Sequence, residues 1–599
     1  MNKYFFTFIG QYRILILNKQ GINHSNITIP VITLFNYQRV SKLEAQTLNL
    51  NDKGKVEVTR VKDNSIYYDT IVKGGASKIK FTFPDVKEGS IIEYKYTLSV
   101  LGVELTDWLF QSDLPTVRSA LSIKIPDFVY YNVRFQGNLP VIIDAPIHYN
   151  DRLNDIQGYK GHYAMDNVPA IKIEPFIASK YDHVNKMRFF LVPTHLENGT
   201  FIHTLNTSWQ PVAKYLSNAG NYFKPLNNVA WGFLAKTLTA GTTDKAEKVR
   251  LIYNYVHTAM KWNKLYSCTP SATKLSFAQQ GTDTVGNSAE INLILLGMLR
   301  TAGIRADPVV ISTREHGMVD TTFYNQHQFN SMIVMAELDS TYMLLDAINP
   351  FIPWYLLPES DLNVQGLKIS SIKSEAGDVI KSEWVNIPVT RGSSTSVTST
   401  IIIDSSGGYS VRSVFLANDY CASQFRDKPD GKTIADWTKS YLKIPDDIDI
   451  KDEQAENEAD VDKKVKVIFS LEKKNTSPDD SFIYVNPFPL RFYADNPLNQ
   501  KERLYAFDFG WGLQRNLVCT IPLPKNYKIV ESPRPMKIVL DDGSASFTLL
   551  VEQNDLTLQI SATFKLNRTL YPAEKFNDLK GLYAKMIDAC SSIVVLQKM

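Results

Sequence analysis

From Ile14 to about Pro175 the chain alternates apolar and polar residues in short runs separated by turn punctuation, a pattern that predicts strand after strand and no helix. The segment KIKFTFPDVKEGSIIEYKYTLSV is the clearest case. Ile79, Phe81 and Phe83 alternate with polar neighbours, Lys87-Glu88-Gly89 supplies a turn, and Ile92, Tyr94, Tyr96 and Leu98 resume the period of two, so a hairpin is expected. Trp108 and Phe110 lead into a further strand pair, and Pro126 closes the next strand. The expectation for residues 1–180 is an antiparallel β-sandwich.

After a strand near Met187 to Val192 the period changes. Trp209 to Tyr222 can form a helix, and TTDKAEKVRLIYNYVHTAMKW forms a stronger one, with Asp244 as N-cap, Glu247 three residues on, and Val249, Ile252, Tyr253, Val256, Ala259 and Met260 along one face. The stretch from Thr284 to Asp346 then stands out. Ile291, Leu293, Ile294, Leu295, Leu296, Met298 and Leu299 make the helix after Ser288 apolar nearly all round, which predicts burial on every side. Gly303 stops it, the strand PVVIS follows from Pro308, and Phe329 to Leu338 and Thr341 to Leu345 flank Asp339-Ser340 as a hairpin.

From about residue 365 strands return. They are interrupted by helical segments at DYCASQFRDK and KTIADWTKSYLK, and by the acidic run PDDIDIKDEQAENEADVDKK, expected to be a solvated face or a mobile loop at the surface. That run lacks the central Gly and terminal Glu of a calcium-binding loop. Phe482 to Val485 is a strand, and a terminal helix is expected from near Pro572 to the closing IVVLQK, with Phe576, Leu579, Tyr583, Met586, Ile587 and Cys590 at helical spacing. The predicted architecture is α+β and multidomain: residues 1–180, 181–364 and 365–599 hold the N-terminal sandwich, a central α+β domain, and a C-terminal β-rich domain with a helical insert and a terminal helix.

Composition narrows the function more than the fold. The 65 basic and 62 acidic residues are spread along 599 positions, which leaves no basic stripe for nucleic acid. No apolar run approaches the roughly 18 residues of a membrane-spanning helix. The N-terminal run from Tyr4 to Ile9 is short for a secretory signal and lacks a small-residue cleavage pattern, so no signal peptide is expected in this chain. Cys268, Cys421, Cys519 and Cys590 lie far apart, giving neither a zinc pattern nor a disulfide framework. No metal or cofactor is expected.

The hairpin places chemistry. If Asp339-Ser340 is a two-residue loop, Leu338 pairs with Thr341, Ile333 faces Asp346, and Ser331 is the diagonal neighbour of Asp346, about 7 to 8 Å away. A histidine at 331 would reach the carboxylate, and a thiol at the start of the buried helix would feel the helix dipole. That is a base oriented by an acid beside a nucleophile, but Ser288 and Ser331 occupy the two reactive places. His327 lies four residues before Ser331, roughly 13 Å along a strand, and misses the position. Cys268, His316 and His257 are weaker candidates, each with an ordinary structural reading.

The segments GNSAEINLILLGMLRTAGIRADPVVISTREHG and FNSMIVMAELDSTYMLLDAINPFIPWYLLPE resemble the degenerate transglutaminase-like (papain-like) core of bacterial cell-envelope proteins, in which that core sits between two β-rich domains of unknown function. The elements FTFPDVKEGSIIEYKY and WLFQSDLP and the terminal IVVLQK are similar to the flanking domains. The resemblance implies that Gly286 and Glu290 fit the helix start, that Ser288 stands where active relatives have Cys and Ser331 where they have His, and that Asp346 is the retained acid. It also implies a periplasmic or envelope location, and a non-catalytic scaffold for peptide, protein or glycan. The alternative is a transglutaminase-like or cysteine/serine-peptidase-like acyl-transfer enzyme acting on proteins or peptides.

Overall fold

The computed structural model describes residues 5–32, 37–70, 76–103, 105–151, 156–192, 194–197, 200–203, 207–224, 229–271, 285–374, 377–389, 391–404, 408–445, 448, 450–473, 481–491 and 493–599. Tyr4 of the N-terminal run and Thr284 at the head of the central stretch lie outside the described residues. The chain forms two compact units, one of residues 1–110, 117–168 and 185–205, the other of residues 111–116, 169–184 and 206–599. A boundary at 180/181 therefore cuts across an exchange of chain: the strand Lys186–Val192 pairs with Tyr130–Gln136 in the first unit, while residues 169–184 pack in the second.

The first unit is built of antiparallel sheets. A four-stranded sheet, ordered Phe5–Leu15, Ile91–Leu101, Gln38–Leu50, Val56–Arg60, faces a three-stranded one of Asn26–Ile32, Ala76–Thr82 and Tyr67–Thr70. Ile29, Val31, Ile79, Phe81, Ile92 and Tyr96 fill the space between them. The expected hairpin of residues 78–100 does not form. Ala76–Thr82 pairs with Asn26–Ile32, whereas Ile91–Leu101 pairs with Phe5–Leu15 across the sandwich. A period of two records which face of a strand is buried, not which strand lies beside it, and two facing sheets satisfy it as well as a hairpin does. A second core of Phe110, Met165, Val168, Met187 and Phe189 serves the remaining strands.

In the second unit a five-stranded antiparallel sheet runs in the order Tyr342–Leu345, Ser331–Glu337, Ala306–Ile311, Gln365–Ile372, Val379–Asn386. Alternate residues of its central strands serve opposite faces. Val310 and Met332 join Trp209, Val212 and Leu216 of helix α1 (Trp209–Gly220), while Val309, Ile311 and Ile333 meet Ile352, Leu356, Tyr420 and Trp511. Helices α2 (Val229–Thr239) and α3 (Lys245–Ala259) pack with α4 (Ser288–Thr301), so that Ile291, Leu295, Met298 and Leu299 are enclosed by Ile252, Val256, Val334 and Leu345. Asp244 caps α3 as predicted, accepting from the amides of Ala246 (2.8 Å) and Glu247 (3.4 Å). Helix α2 carries no strong apolar stripe, and the sequence pattern does not predict it.

The C-terminal part holds an eight-stranded sheet, antiparallel except where Ser393–Ile403 runs parallel to Leu513–Pro522. Helices α5 (Asp419–Arg426) and α6 (Ile434–Tyr441) form the predicted insert. The acidic run presents the expected solvated face, on an edge strand, Ile450–Glu456, paired with Val465–Lys473, because an edge strand tolerates charge at its exposed positions. One expectation is corrected. The last helix, α7 (Phe576–Ser591), stops before IVVLQK, and Val594–Lys598 forms a strand between Phe482–Val485 and Tyr527–Glu531.

One buried cation fastens residues 169–184 to this sheet region. Arg503 donates to the carbonyls of Pro175 (2.8 Å), Phe176 (3.3 Å), Tyr505 (2.6 Å) and Ala506 (3.2 Å), its guanidinium lies 3.5 Å over the Phe507 ring, and Glu174 stands 3.8 Å away. Glu174 in turn accepts from the amides of Leu504 and Tyr505. Removing one partner of a buried pair leaves the other charge unanswered at a cost of about 3–5 kcal/mol. Arg503→Ala should lose stability of that order in urea unfolding, and a loss below about 1 kcal/mol, the level of an exposed pair, would contradict this role.

Candidate active site

Helix α4 begins at a doubly bonded cap. Asn287 Oδ1 accepts from the Glu290 amide (2.8 Å), and Glu290 Oε2 accepts from the Asn287 amide (2.8 Å). The cap is therefore Asn287, and Ser288 is the first helical residue. Glu290 also accepts from the amide and hydroxyl of Ser271 (3.0 and 2.7 Å), and Asn287 Nδ2 donates to Thr269 O (3.1 Å), which holds the loop 267–271 against the helix start.

Freed from capping, Ser288 uses its hydroxyl elsewhere. Its Oγ donates to Ser267 O (3.0 Å) and accepts from the Ser267 amide (2.9 Å) and from Ser331 Oγ (3.0 Å). One donation and two acceptances exhaust a hydroxyl. Ser331 is thus brought beside Ser288, as the helix-plus-hairpin layout required. Both are 0% exposed, as are Asn292, Asp346 and Asp361.

The hairpin has the predicted register: Glu337 lies opposite Tyr342 and Val334 opposite Leu345, and Leu338 N donates to Thr341 O (2.8 Å). Asp346 nevertheless bonds elsewhere than to Ser331. Its Oδ1 accepts from Asn292 Nδ2 (2.8 Å) and from the Ile348 amide (3.0 Å). Asn292 sits one helical turn below Ser288, where its Nδ2 also donates to Met332 O (2.9 Å) and its Oδ1 accepts from the Ala347 amide (3.1 Å). A fully buried amide inside an otherwise apolar helix has a signal in the sequence, as the one polar interruption of the run, yet the triad pattern alone does not point to it.

Asp361 is a second buried polar residue of this cluster that the sequence does not disclose, and no local pattern announces it. It lies in a short 3-10 turn, Glu359–Asp361, where its Oδ1 accepts from Ser360 Oγ (3.0 Å). A side-chain hydrogen bond joins it to Asp346. The Oδ2 atoms of both carboxyls meet no other donor, so a proton held between them satisfies both. Burial raises Asp346, opposed by the bonds from Asp361, Asn292 and Ile348. Asp361 is pushed well above the carboxylate range by burial, then by the Asp346 charge and bond. The two carboxyls share one proton, and the pair holds it more tightly than free carboxyls do. Tyr253 shares this interior, its hydroxyl donating to the carbonyls of Asp346 (3.0 Å) and Ile352 (3.3 Å).

The other candidates stand apart from a catalytic arrangement. Cys268 is buried, its thiol donating to Ser331 O (3.4 Å), and burial pushes its pKa up to about 12, so it stays protonated near neutral pH. His327 is exposed in a turn, with Nε2 beside Gln326 Nε2 at 3.1 Å. His316 bonds Ser312 Oγ (2.8 Å), and His257 meets Pro350 O (3.0 Å). Among the described residues, no group of three or more His, Cys, Asp or Glu is placed to hold a metal ion, and no helix is long and apolar enough to cross a membrane.

Comparison with known families agrees with this layout. Residues 233–341 match the transglutaminase-like superfamily, residues 6–152 match the domain of unknown function DUF3857, and residues 481–596 match DUF3858. No curated protein matches the chain. Among solved structures, a "putative protease" from Parabacteroides distasonis is 13% identical, with a TM-score of 0.61 over 99% of this chain and 95% of its own, which shows a shared fold. A "putative cysteine protease" from Cytophaga hutchinsonii, 11% identical over 64% of this chain and 89% of its own, has a TM-score of 0.17 and carries no argument.

The carboxyl pair has a measurable signature. Because the folded pKa of Asp361 lies above its unfolded value, the native state holds the extra proton, and this group's contribution to stability is full below about pH 4 and is lost as pH rises through the folded pKa. Asp361→Asn should keep a donor to Asp346 while removing this fall, so thermal melts from pH 4 to 8 should vary less with pH than wild type. Asp361→Ala leaves Asp346 without that donor and should cost about 1.5–3 kcal/mol at pH 7. Equal pH slopes in wild type and Asp361→Asn would rule out the shared proton.

Proposed function

We propose that this chain, whose transglutaminase-like core lies between a DUF3857 and a DUF3858 domain, is a non-catalytic protein of the periplasm or cell envelope that acts as a binding or assembly scaffold for peptide, protein or glycan. One observation carries the reading: the nucleophile and base positions hold Ser288 and Ser331, bonded to one another and inaccessible.

A serine nucleophile needs a base that takes its proton, and the helix dipole that turns a thiol into a thiolate gives a hydroxyl almost nothing. The Ser288 proton is directed at a backbone carbonyl, which cannot accept it chemically. Asp346 is the retained acid, yet it orients an amide and a second carboxyl in place of an imidazole. Among the described residues, neither arrangement gives the Ser288 proton a base to go to.

The competing reading, an acyl-transfer enzyme acting on proteins or peptides, has the superfamily fold in its favour and would rely on Ser288 or Cys268. The envelope placement rests on the family resemblance and is checked by cell fractionation.

Activity-based labelling separates the two readings. With a fluorophosphonate and with iodoacetamide at neutral pH, folded wild type should show no labelling at Ser288 and slow labelling at Cys268 that accelerates only on unfolding. Labelling by the fluorophosphonate that disappears in Ser288→Ala would sink the scaffold reading. Ser288→Ala should also cost about 1–3 kcal/mol, because the Ser267 amide loses its acceptor in the interior.

A further inference from the structure

Three strand ends of the eight-stranded sheet converge on a cleft of about 730 Å³. Ser393–Ile403 and Leu513–Pro522 start side by side, with Ser393 against Leu513, and Leu513 lies opposite Leu566 at the end of Thr557–Leu566. The volume falls within the range of small-molecule sites, about 300–1,000 Å³. No residue of the Ser288 site contributes to the cleft, so a role for it goes beyond the scaffold reading and does not depend on it.

The lining is one-signed. Arg391, Lys565 and Arg568 face the cleft and no carboxylate does. Two of these cations are partly answered nearby. Arg568 pairs with Asp542 at 3.2 Å, and the Arg391 guanidinium lies 4.7 Å over the Tyr355 ring with Asp419 within its field. Lys565 has no ion-pair partner among the described residues, although it is half-buried in the centre of a cross-strand row of Ser394, Gln514, Lys565 and Ser546. A half-buried cation among neutral polar groups is a standing attraction for an anion.

The floor of the cleft is bare backbone. A Cβ on Gly392 would stand 3.2 Å from Gly512 O, and one on Gly512 would stand 3.3 Å from Leu566 O. Glycine at both positions lets three strand ends crowd together and keeps the floor free of side chains. A ligand can then reach down to the row containing Lys565.

We infer that this cleft binds a small polyanion, a molecule carrying two or more carboxylate or phosphate groups that spans Arg391, Lys565 and Arg568. The arginines suit the bidentate geometry that carboxylate and phosphate share, and Lys565 supplies a compact charge between them.

Isothermal titration of the full chain with citrate and with pyrophosphate, at constant ionic strength set by sodium chloride, tests the inference. Saturable binding of at least one probe is expected, and preference for citrate or for pyrophosphate identifies carboxylate or phosphate as the natural group. Lys565→Gln and Arg391→Gln should each weaken that binding about tenfold, the equivalent of about 1.4 kcal/mol, while Lys565→Arg, which keeps the charge, should stay within about threefold of wild type. Thermal melts without ligand should coincide with wild type for both Lys565 variants, since no ion pair of Lys565 is lost. Absence of saturable heat with both probes, or undiminished binding in both glutamine variants, would overturn the inference.

Discussion

Three pieces of the core meet at the side chain of Asn292, and the arrangement of the site depends on that meeting. Its amide joins α4 to the strand Ser331–Glu337 through Met332 O, and to the segment after the hairpin through Asp346 and Ala347. Each of these groups is sealed from water, so each would be costly without its partner. Apolar packing alone allows a helix to slide on a sheet by small steps. A buried amide with both ends engaged permits only one setting, and Ser288 and Ser331 lie within 3.0 Å as a result.

The polarity of the site follows from the same enclosure. A thiolate and an imidazolium at these depths would be an ion pair taken out of water, and its desolvation would have to be offset by a carboxylate and by access to substrate. Two hydroxyls need no such support: Ser331 donates to Ser288, and one carbonyl and one amide of Ser267 complete the bonding of Ser288. Asp346, with no imidazole to orient, is stabilised by sharing a proton with Asp361. The acid, the helix start and the hairpin of the transglutaminase-like core are thus arranged around neutral groups.

Much of this was legible in the sequence, and the failures have physical causes. Helix α4 was recognisable because only a helix enclosed on all sides is apolar all round, and the hairpin register because a two-residue turn at Asp339-Ser340 leaves one pairing open. The 78–100 segment misleads because alternation is silent about partners, and only the sheets themselves show Phe81 and Ile92 facing each other from different layers. Charge disguises the strand Ile450–Glu456, whose exposed positions include Lys451, Asp452 and Glu456. The terminal VVLQ is short enough to extend a helix or to make a strand, and its place between two other strands decides the matter. Asp361 has no local signature, since its role exists only once a turn brings it to Asp346.

The path of the chain between the two units bears on how the protein is made. Residues 111–116 and 169–184 belong to the second unit although first-unit sequence lies on both sides of them. Glu174 and the loop residues whose amides bond it, Leu504 and Tyr505, are 330 and 331 positions apart. During synthesis the segment 169–184 therefore waits, with an acidic side chain destined for burial, until Arg503 and the amides of Leu504 and Tyr505 emerge. Closing so long a loop is slow even where its entropic penalty grows only logarithmically with length. The N-terminal β-rich unit can condense early, but the exchange ties completion of the molecule to its C-terminal third, so a nascent chain released early would lack the partners that seat its own connecting segment.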